Sequence, residues 1–300
     1  MKLNYKILGS GDHAIIVETA LGSTFVEWIP ILKPLSEKYL IFLYDRAGYG
    51  KSDETESDRS PKYISLQLKE LISQAIPGKK YLFIGHSIGG LYVQQYIRDY
   101  PTNVIGAVFL DPATTEETRF KTSLTQREFK RSGIDKSFMI RQGVFLGRLR
   151  LLRLLRPLFK KSIPFYYYEY DIAEKKEILR HMTQYKTYKA MQGEYAAYQK
   201  QNEIFSQLIV HDFPQIPIRV LYHNPEMMVN EIIKFGGLTE DEAYKIDNLW
   251  KEIIVQHYSK LSKDFKLEIA ENSGHYIHLT DKVKLYDAVD EIITAHNRRT

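Results

Sequence analysis

Tyr81-Leu82-Phe83-Ile84-Gly85-His86-Ser87-Ile88-Gly89-Gly90-Leu91 decides how this chain is read. Tyr81 to Ile84 is a short apolar run of the kind found in strands buried on both faces. Gly85 to Gly89 then fits G-x-S-x-G, and Leu91 to Arg98 reads as a helix. A side chain presented on so tight a strand-to-helix turn needs a strained backbone. Residues two before and two after it must be small, or their side chains collide. Both are Gly here. The five-residue pattern alone is common; the strand before it, the helix after it and the extra Gly90 single it out. Ser87 is therefore the candidate nucleophile. The backbone N–H of Ile88, at a helix start, is a candidate donor to a developing oxyanion.

The same alternation extends outward on both sides. Ala14 to Val17, Leu40 to Tyr44 and Val104 to Leu110 are further apolar runs, and each ends in a turn bearing Gly or Asp. Ile64 to Ala75 reads as a helix between two of them. Strands alternating with helices predict an α/β fold with a mostly parallel sheet flanked by helices. In such sheets ligands bind beyond the carboxyl ends of the strands, where these turns converge. From Ala113 to Gln215 strand signals fade and helical, basic and aromatic stretches take over. Strand signals return at Ile218 to Tyr222 and Phe265 to Ala270, and a last helix is expected over Lys282 to Ala295. The organisation read from this is a core of residues 1–112 and 216–300, with residues 113–215 inserted as a largely helical lid. No internal repeat is found.

A serine hydroxyl is too weak an acid to attack at neutral pH without a neighbouring base. Of the nine His residues, His275 sits in Ser273-Gly274-His275, just after a strand near the C-terminus. That place fits the chain order Ser, acid, His, and makes His275 the candidate base. His278, on the start of a helix, reads as a packing residue. His86 reads as packing beneath the nucleophile.

With these residues in hand the chain resembles the α/β-hydrolase superfamily. Asp45-Arg46-Ala47-Gly48-Tyr49-Gly50-Lys51-Ser52 is similar to the family's D-R-x-G-x-G-x-S turn, and Glu18-Thr19-Ala20-Leu21-Gly22-Ser23 stands where the family has an H-G-x-G oxyanion loop. The resemblance covers residues 10–112 and 216–295. It implies that the second oxyanion donor is the backbone N–H of Leu21. Thr19-Ala20 replaces the usual His-Gly, but a backbone donor survives a change of side chain. Ser at position 87, rather than Asp, argues against the epoxide-hydrolase and haloalkane-dehalogenase branches. The acid that would orient His275 stays open between two positions. The commonest layout puts it after the strand that follows the lid, where Glu226 is the only nearby carboxylate. Some branches carry it on the strand before the lid, and there Asp111 ends Val104 to Leu110. A third source is the long segment 231–263.

Composition sets the outer limits. The 300 residues include no Cys, which excludes disulfides, Cys-bound metal and a Cys nucleophile. No H-E-x-x-H, P-loop or G-x-G-x-x-G after a strand is present, so neither metal nor cofactor is expected. No signal segment or spanning run is read, and the expected location is the cytoplasm. The net charge of +5 is uneven: Thr118 to Lys161 holds 13 Lys and Arg against 2 acids. Within it, Leu149 to Lys161 reads as an amphipathic helix, with Leu151, Leu155 and Leu158 on one side and Arg150, Arg153 and Arg156 on another. Its plain reading is a lid helix whose apolar side covers a pocket; its sharper reading is peripheral docking on anionic lipid. No nucleic-acid motif accompanies the charge. The aromatic run Ile163 to Tyr170 suits either a pocket wall or ordinary core. The resemblance then implies hydrolysis of an ester or related acyl bond of a small substrate with an apolar portion; the same triad also serves aminopeptidase, thioesterase, lactonase and carbon–carbon hydrolase reactions, and a hydrolase-like ligand-binding module with little turnover is the reading of a different class. The sequence does not set the oligomeric state.

Overall fold

The computed structural model describes residues 1–200, 203 and 211–298. One sheet of seven strands organises them: β1 (Tyr5–Leu8), β2 (His13–Glu18), β3 (Leu40–Tyr44), β4 (Lys80–His86), β5 (Val104–Leu110), β6 (Ile218–His223) and β7 (Phe265–Ala270). Their order is β1-β3-β2-β4-β5-β6-β7. β1 lies antiparallel to β3, and every other pairing is parallel. The six parallel strands are those expected from their apolar runs. β1 escapes that reading because it is a four-residue edge strand with three exposed positions.

The longer helices are α1 (Pro61–Ala75), α2 (Gly89–Asp99), α3 (Ser137–Arg148), α4 (Ile172–Met182), α5 (Tyr185–Gln199), α6 (Pro225–Glu231), α7 (Glu240–Tyr258) and α8 (Lys282–Asn297). The sheet divides its side chains between two cores with period two. Ile15, Val17, Leu82 and Ile84 join one, together with Leu285, Val289 and Ile293 of α8. Ala14, Ile16, Tyr81 and Phe83 join the other, with Leu68 and Ile72 of α1 and Val93 of α2. Burial on both faces is why these strands are continuously apolar. No helix among the described residues is long and apolar enough to cross a membrane.

Between β5 and β6 the described residues form helices and turns and no strand. Residues 201–202 and 204–210 of the segment expected to form the lid lie outside the described residues. The single helix expected over Leu149 to Lys161 is corrected. Arg150 takes a left-handed conformation (φ 61°), a 3₁₀ turn spans Leu152–Leu155, and Pro157 starts a separate short turn, Arg156–Phe159. Proline lacks the N–H a continuing helix needs, and a left-handed residue ends one. None of Leu151, Leu155 and Leu158 lines the cavity that holds Ser87: Leu151 and Leu158 are exposed, and Leu155 packs beside the cluster of Tyr188 and Ile140.

A buried polar cluster ties the sheet edge to this helical segment. Arg46 follows β3 and is fully enclosed. Its guanidinium donates to the carbonyls of Thr19 (2.8 Å) and Ala20 (3.0 Å), to Glu18 (3.2 Å), and through two nitrogens to Glu194 of α5 (3.1 and 3.0 Å). Arg59 and Tyr49 also donate to Glu194, at 2.6 and 2.9 Å. Burial pushes the Glu18 carboxyl up to about 7 despite the opposing pull of Arg46. For Glu194 burial works in the same direction, but the two guanidiniums outweigh it and hold the carboxyl low. Removing one member of a buried ionic set strands its partners. Glu194→Ala should therefore lower unfolding free energy by about 3–5 kcal/mol in urea titrations. A loss below about 1 kcal/mol, the level of a surface pair, would show that the cluster does not hold the two parts together.

Candidate active site

β4 ends at His86 and α2 starts at Gly89, so Ser87 and Ile88 make the whole connection. Ser87 adopts φ 54°, in the left-handed region that costs a side-chain-bearing residue energy. Hydrogen bonds hold it there. Its N–H donates to the Leu110 carbonyl (3.1 Å), and its carbonyl accepts from the N–H groups of Gly90 and Ala113 (2.9 Å each). The flanking glycines are sterically required. A Cβ on Gly85 would lie 2.9 Å from the Gly90 Cα, and one on Gly89 would lie 2.3 Å from the Glu18 carbonyl oxygen.

Asp111 ends the neighbouring strand, also at positive φ (40°), with its N–H on the Leu221 carbonyl at 2.9 Å. It is buried, and its two oxygens serve two imidazoles. Oδ2 accepts from His275 Nδ1 at 2.5 Å, and Oδ1 accepts from His223 Nδ1 at 2.8 Å. His223 Nε2 donates in turn to Asp247 Oδ1 at 2.5 Å. Both ring nitrogens of His223 thus face carboxylates, which suits the doubly protonated imidazolium. Burial alone would lower its pKa, but Asp111 and Asp247 outweigh burial and raise it to about 9. For Asp111 burial opposes ionisation, yet the two imidazoles hold it well below the usual carboxylate range. His275 engages Asp111 through Nδ1. Its Nε2 and the Ser87 hydroxyl have no protein partner among the described residues.

Glu226 stands elsewhere. It is exposed in the first turn of α6 and does not line the cavity that holds Ser87 and His275. His223 and Asp247 were not singled out from the sequence, although Asp247 falls within the 231–263 segment. The available signal was position: His223 ends β6, where the commonest family layout has its acid, and β6 pairs directly with the strand carrying Asp111.

Leu21 and Ile88 line the same cavity as Ser87. Neither backbone N–H donates to a protein acceptor among the described residues. The loop before Leu21 is fixed by the grip of Arg46 on the carbonyls of Thr19 and Ala20. Behind the site, His86 is buried and contacts the His275 carbonyl through Nε2 at 3.0 Å. A carbonyl only accepts, so Nε2 carries the proton; burial, then His275, push His86 down to about 3. His278 stacks on Trp28 with ring centroids 4.0 Å apart.

The cavity measures about 820 Å³, within the range of small-molecule sites. Its wall includes Phe120 and Ile134 from the segment after β5, and Met228, Ile232 and Trp250 from the segment after β6. Of the aromatic run, Ile163 reaches the cavity, while Tyr170 is buried in the sheet-side core and Tyr167 donates to Glu231. Lys130, Arg131, Lys136 and Lys234 also line it. Burial raises the Glu117 carboxyl there to about 8. Among the described residues no group of three or more His, Asp or Glu side chains is placed to hold a metal ion.

Comparison with known proteins extends this picture. The chain is 31% identical over 105 residues to the uncharacterized protein YqjL of Bacillus subtilis, covering 35% of this chain and 42% of that one. It is 28% identical over 103 residues to the pimeloyl-[acyl-carrier protein] methyl ester esterase of Proteus mirabilis, covering 34% and 38%. Each match thus spans about two fifths of the relative's own length. Among solved structures, epoxide hydrolase CorEH superposes with a TM-score of 0.63 at 15% identity, over 98% of this chain and 95% of that one. The family model described as alpha/beta hydrolase fold matches residues 13–282. With that match over nearly its whole length, and with the parallel sheet described above, the chain belongs to the alpha/beta hydrolase fold family.

Proposed function

We propose that the protein is a serine hydrolase that cleaves an ester or related acyl bond of a small, partly apolar substrate. The observation that carries this reading is the 2.5 Å contact of His275 Nδ1 with buried Asp111, which leaves Nε2 unengaged in the cavity that also holds Ser87. A carboxylate on Nδ1 selects the tautomer whose Nε2 can accept a proton. Ser87 attacks the carbonyl and passes its proton to His275 Nε2. The N–H groups of Leu21 and Ile88 receive the oxyanion. His275 then protonates the leaving group, and water, activated by the same imidazole, releases the acid and restores Ser87. In this reading the hydrogen bond between the Ser87 hydroxyl and His275 Nε2 is made when substrate binds, since catalytic hydrogen bonds are often long or poorly aligned before then.

Asp111 is the acid in this reading, and Glu226 has no part in it. The helices after β5 act as the lid, with the residues after β6 completing the pocket. The apolar wall suits an acyl or alcohol portion, and the four cations suit a polar or anionic end. The name of the Proteus mirabilis relative favours an ester among acyl bonds. Epoxide hydrolysis is disfavoured, because that branch uses a carboxylate where this chain has Ser87.

Two predictions follow from these roles. In assays on a series of p-nitrophenyl esters, Ser87→Ala should lower kcat/KM by about a thousandfold or more, and Asp111→Asn by about 10²–10⁴-fold, while Glu226→Gln stays within about twofold. Comparable losses for Glu226→Gln and none for Asp111→Asn would reverse the choice of acid.

The second concerns pH. His223 is raised to about 9 from an unfolded value near 6.5, so its contribution is complete below about 6.5 and is lost as pH rises through about 9. Asp111 is lowered, so its contribution persists at neutral pH and fades only in acid. Urea unfolding of the wild type should weaken progressively across that alkaline window, and His223→Gln should flatten the slope. An unchanged slope would mean that His223 is neutral in the folded protein.

A further inference from the structure

Helix α3 is apolar on two opposite faces, and only one of them is covered. Ile140, Gly143, Val144 and Gly147 recur at helical spacing and are buried. A Cβ on Gly143 would lie 1.9 Å from the Tyr188 ring, and one on Gly147 would lie 2.8 Å from that of Tyr185, so this face packs closely on α5. Phe138, Phe145 and Leu149 lie on the other side. At 3.6 residues per turn they fall within a single narrow stripe half a turn from the buried one. Where the chain breaks after Arg150, Leu154 and Leu158 continue the same apolar character. These five large side chains are 52–73% exposed. Scattered exposed leucines are ordinary, but a stripe with two phenylalanines is not.

Charge distinguishes what could cover it. Between Ser137 and Lys161 there are seven Lys and Arg and no Asp or Glu. Elsewhere surface cations pair freely, as Arg119 does with Glu252 and Arg127 with Glu242. Among the described residues none of these seven, from Arg141 to Lys161, is in an ion pair. A second copy of the chain packed on this face would bring two uncompensated cationic arrays together. A surface that is apolar within and anionic at its boundary answers both features at once. None of these residues lines the cavity that holds Ser87.

We propose that the outer face of α3 and the turns through Lys161 form a docking surface for an anionic lipid bilayer. Phe138, Phe145 and Leu149 enter the acyl boundary, and the surrounding arginines and lysines meet the headgroups.

The test is co-sedimentation of the full chain with vesicles of phosphatidylcholine alone or mixed with phosphatidylglycerol. Three proteins are compared: wild type, Phe138→Ser/Phe145→Ser, and Arg150→Glu/Arg153→Glu/Arg156→Glu. Circular dichroism and turnover of a soluble short-chain ester serve as folding controls, since no altered residue belongs to the cavity wall. The wild type should bind only the mixed vesicles and release in high salt. Each variant should bind on the order of tenfold more weakly or worse. Absence of wild-type binding to mixed vesicles would overturn the proposal, as would equal binding by the charge-reversed variant. Concentration-dependent self-association of the wild type without lipid, abolished by Phe138→Ser/Phe145→Ser, would also overturn it and assign the face to a second copy. Should the serine variant unfold, Lys160→Glu/Lys161→Glu supplies an independent reading of the charge requirement.

Discussion

The Asp111 carboxylate, buried between two imidazoles at the carboxyl edge of the sheet, is the interaction on which the arrangement of the site turns. One oxygen fixes the tautomer of His275 and the other meets His223. A lone buried carboxylate would take up a proton and lose its hold on an imidazolium. Here the His223 imidazolium lies between Asp111 and Asp247, so Asp111 keeps its charge, and the remaining negative charge is available to a protonated His275. Two strands supply the pair: Asp111 follows β5, His223 ends β6, and the strands pair in parallel with Leu110 beside Leu221, which brings the two strand ends together. The site is thus a property of strand pairing as much as of loop sequence.

The same economy governs the opposite side of Ser87. Arg46 leaves β3 and holds the carbonyls of Thr19 and Ala20, which fixes the loop carrying Leu21. Its other contacts reach Glu194 on α5, so the loop and the helical segment are set by one guanidinium. Arg rather than Lys is needed, because the planar fork serves carbonyls and a carboxylate in fixed directions. Conformational strain at Ser87 and Asp111 is sustained by the surrounding backbone hydrogen bonds.

How much of this was legible in the sequence differs by element. The parallel strands announced themselves because burial on both faces forces continuous apolar runs, as in Tyr81 to Ile84. The turn at Ser87 was legible because sterics there admit only Gly85 and Gly89. β1 was not, since an exposed edge strand needs no apolar pattern. The helix expected over Leu149 to Lys161 failed because spacing alone does not register a left-handed Arg150 or weigh Pro157 against leucine periodicity. The choice between Asp111 and Glu226 stayed open because it depends on which strand ends meet. His223 went unnoticed for the same reason: its partners lie 112 and 24 residues away in the chain.

Everything proposed for this site requires Ser87 to be a nucleophile activated within this network. The most direct measurement is mass-spectrometric mapping of the adduct formed when the folded protein is treated with a fluorophosphonate. An activated Ser87 gives one stoichiometric adduct on that residue, formed rapidly near neutral pH and slowed when Asp111 is replaced by Asn. A folded protein that forms no adduct, or one that is modified on a different side chain while Ser87 stays free, would contradict it.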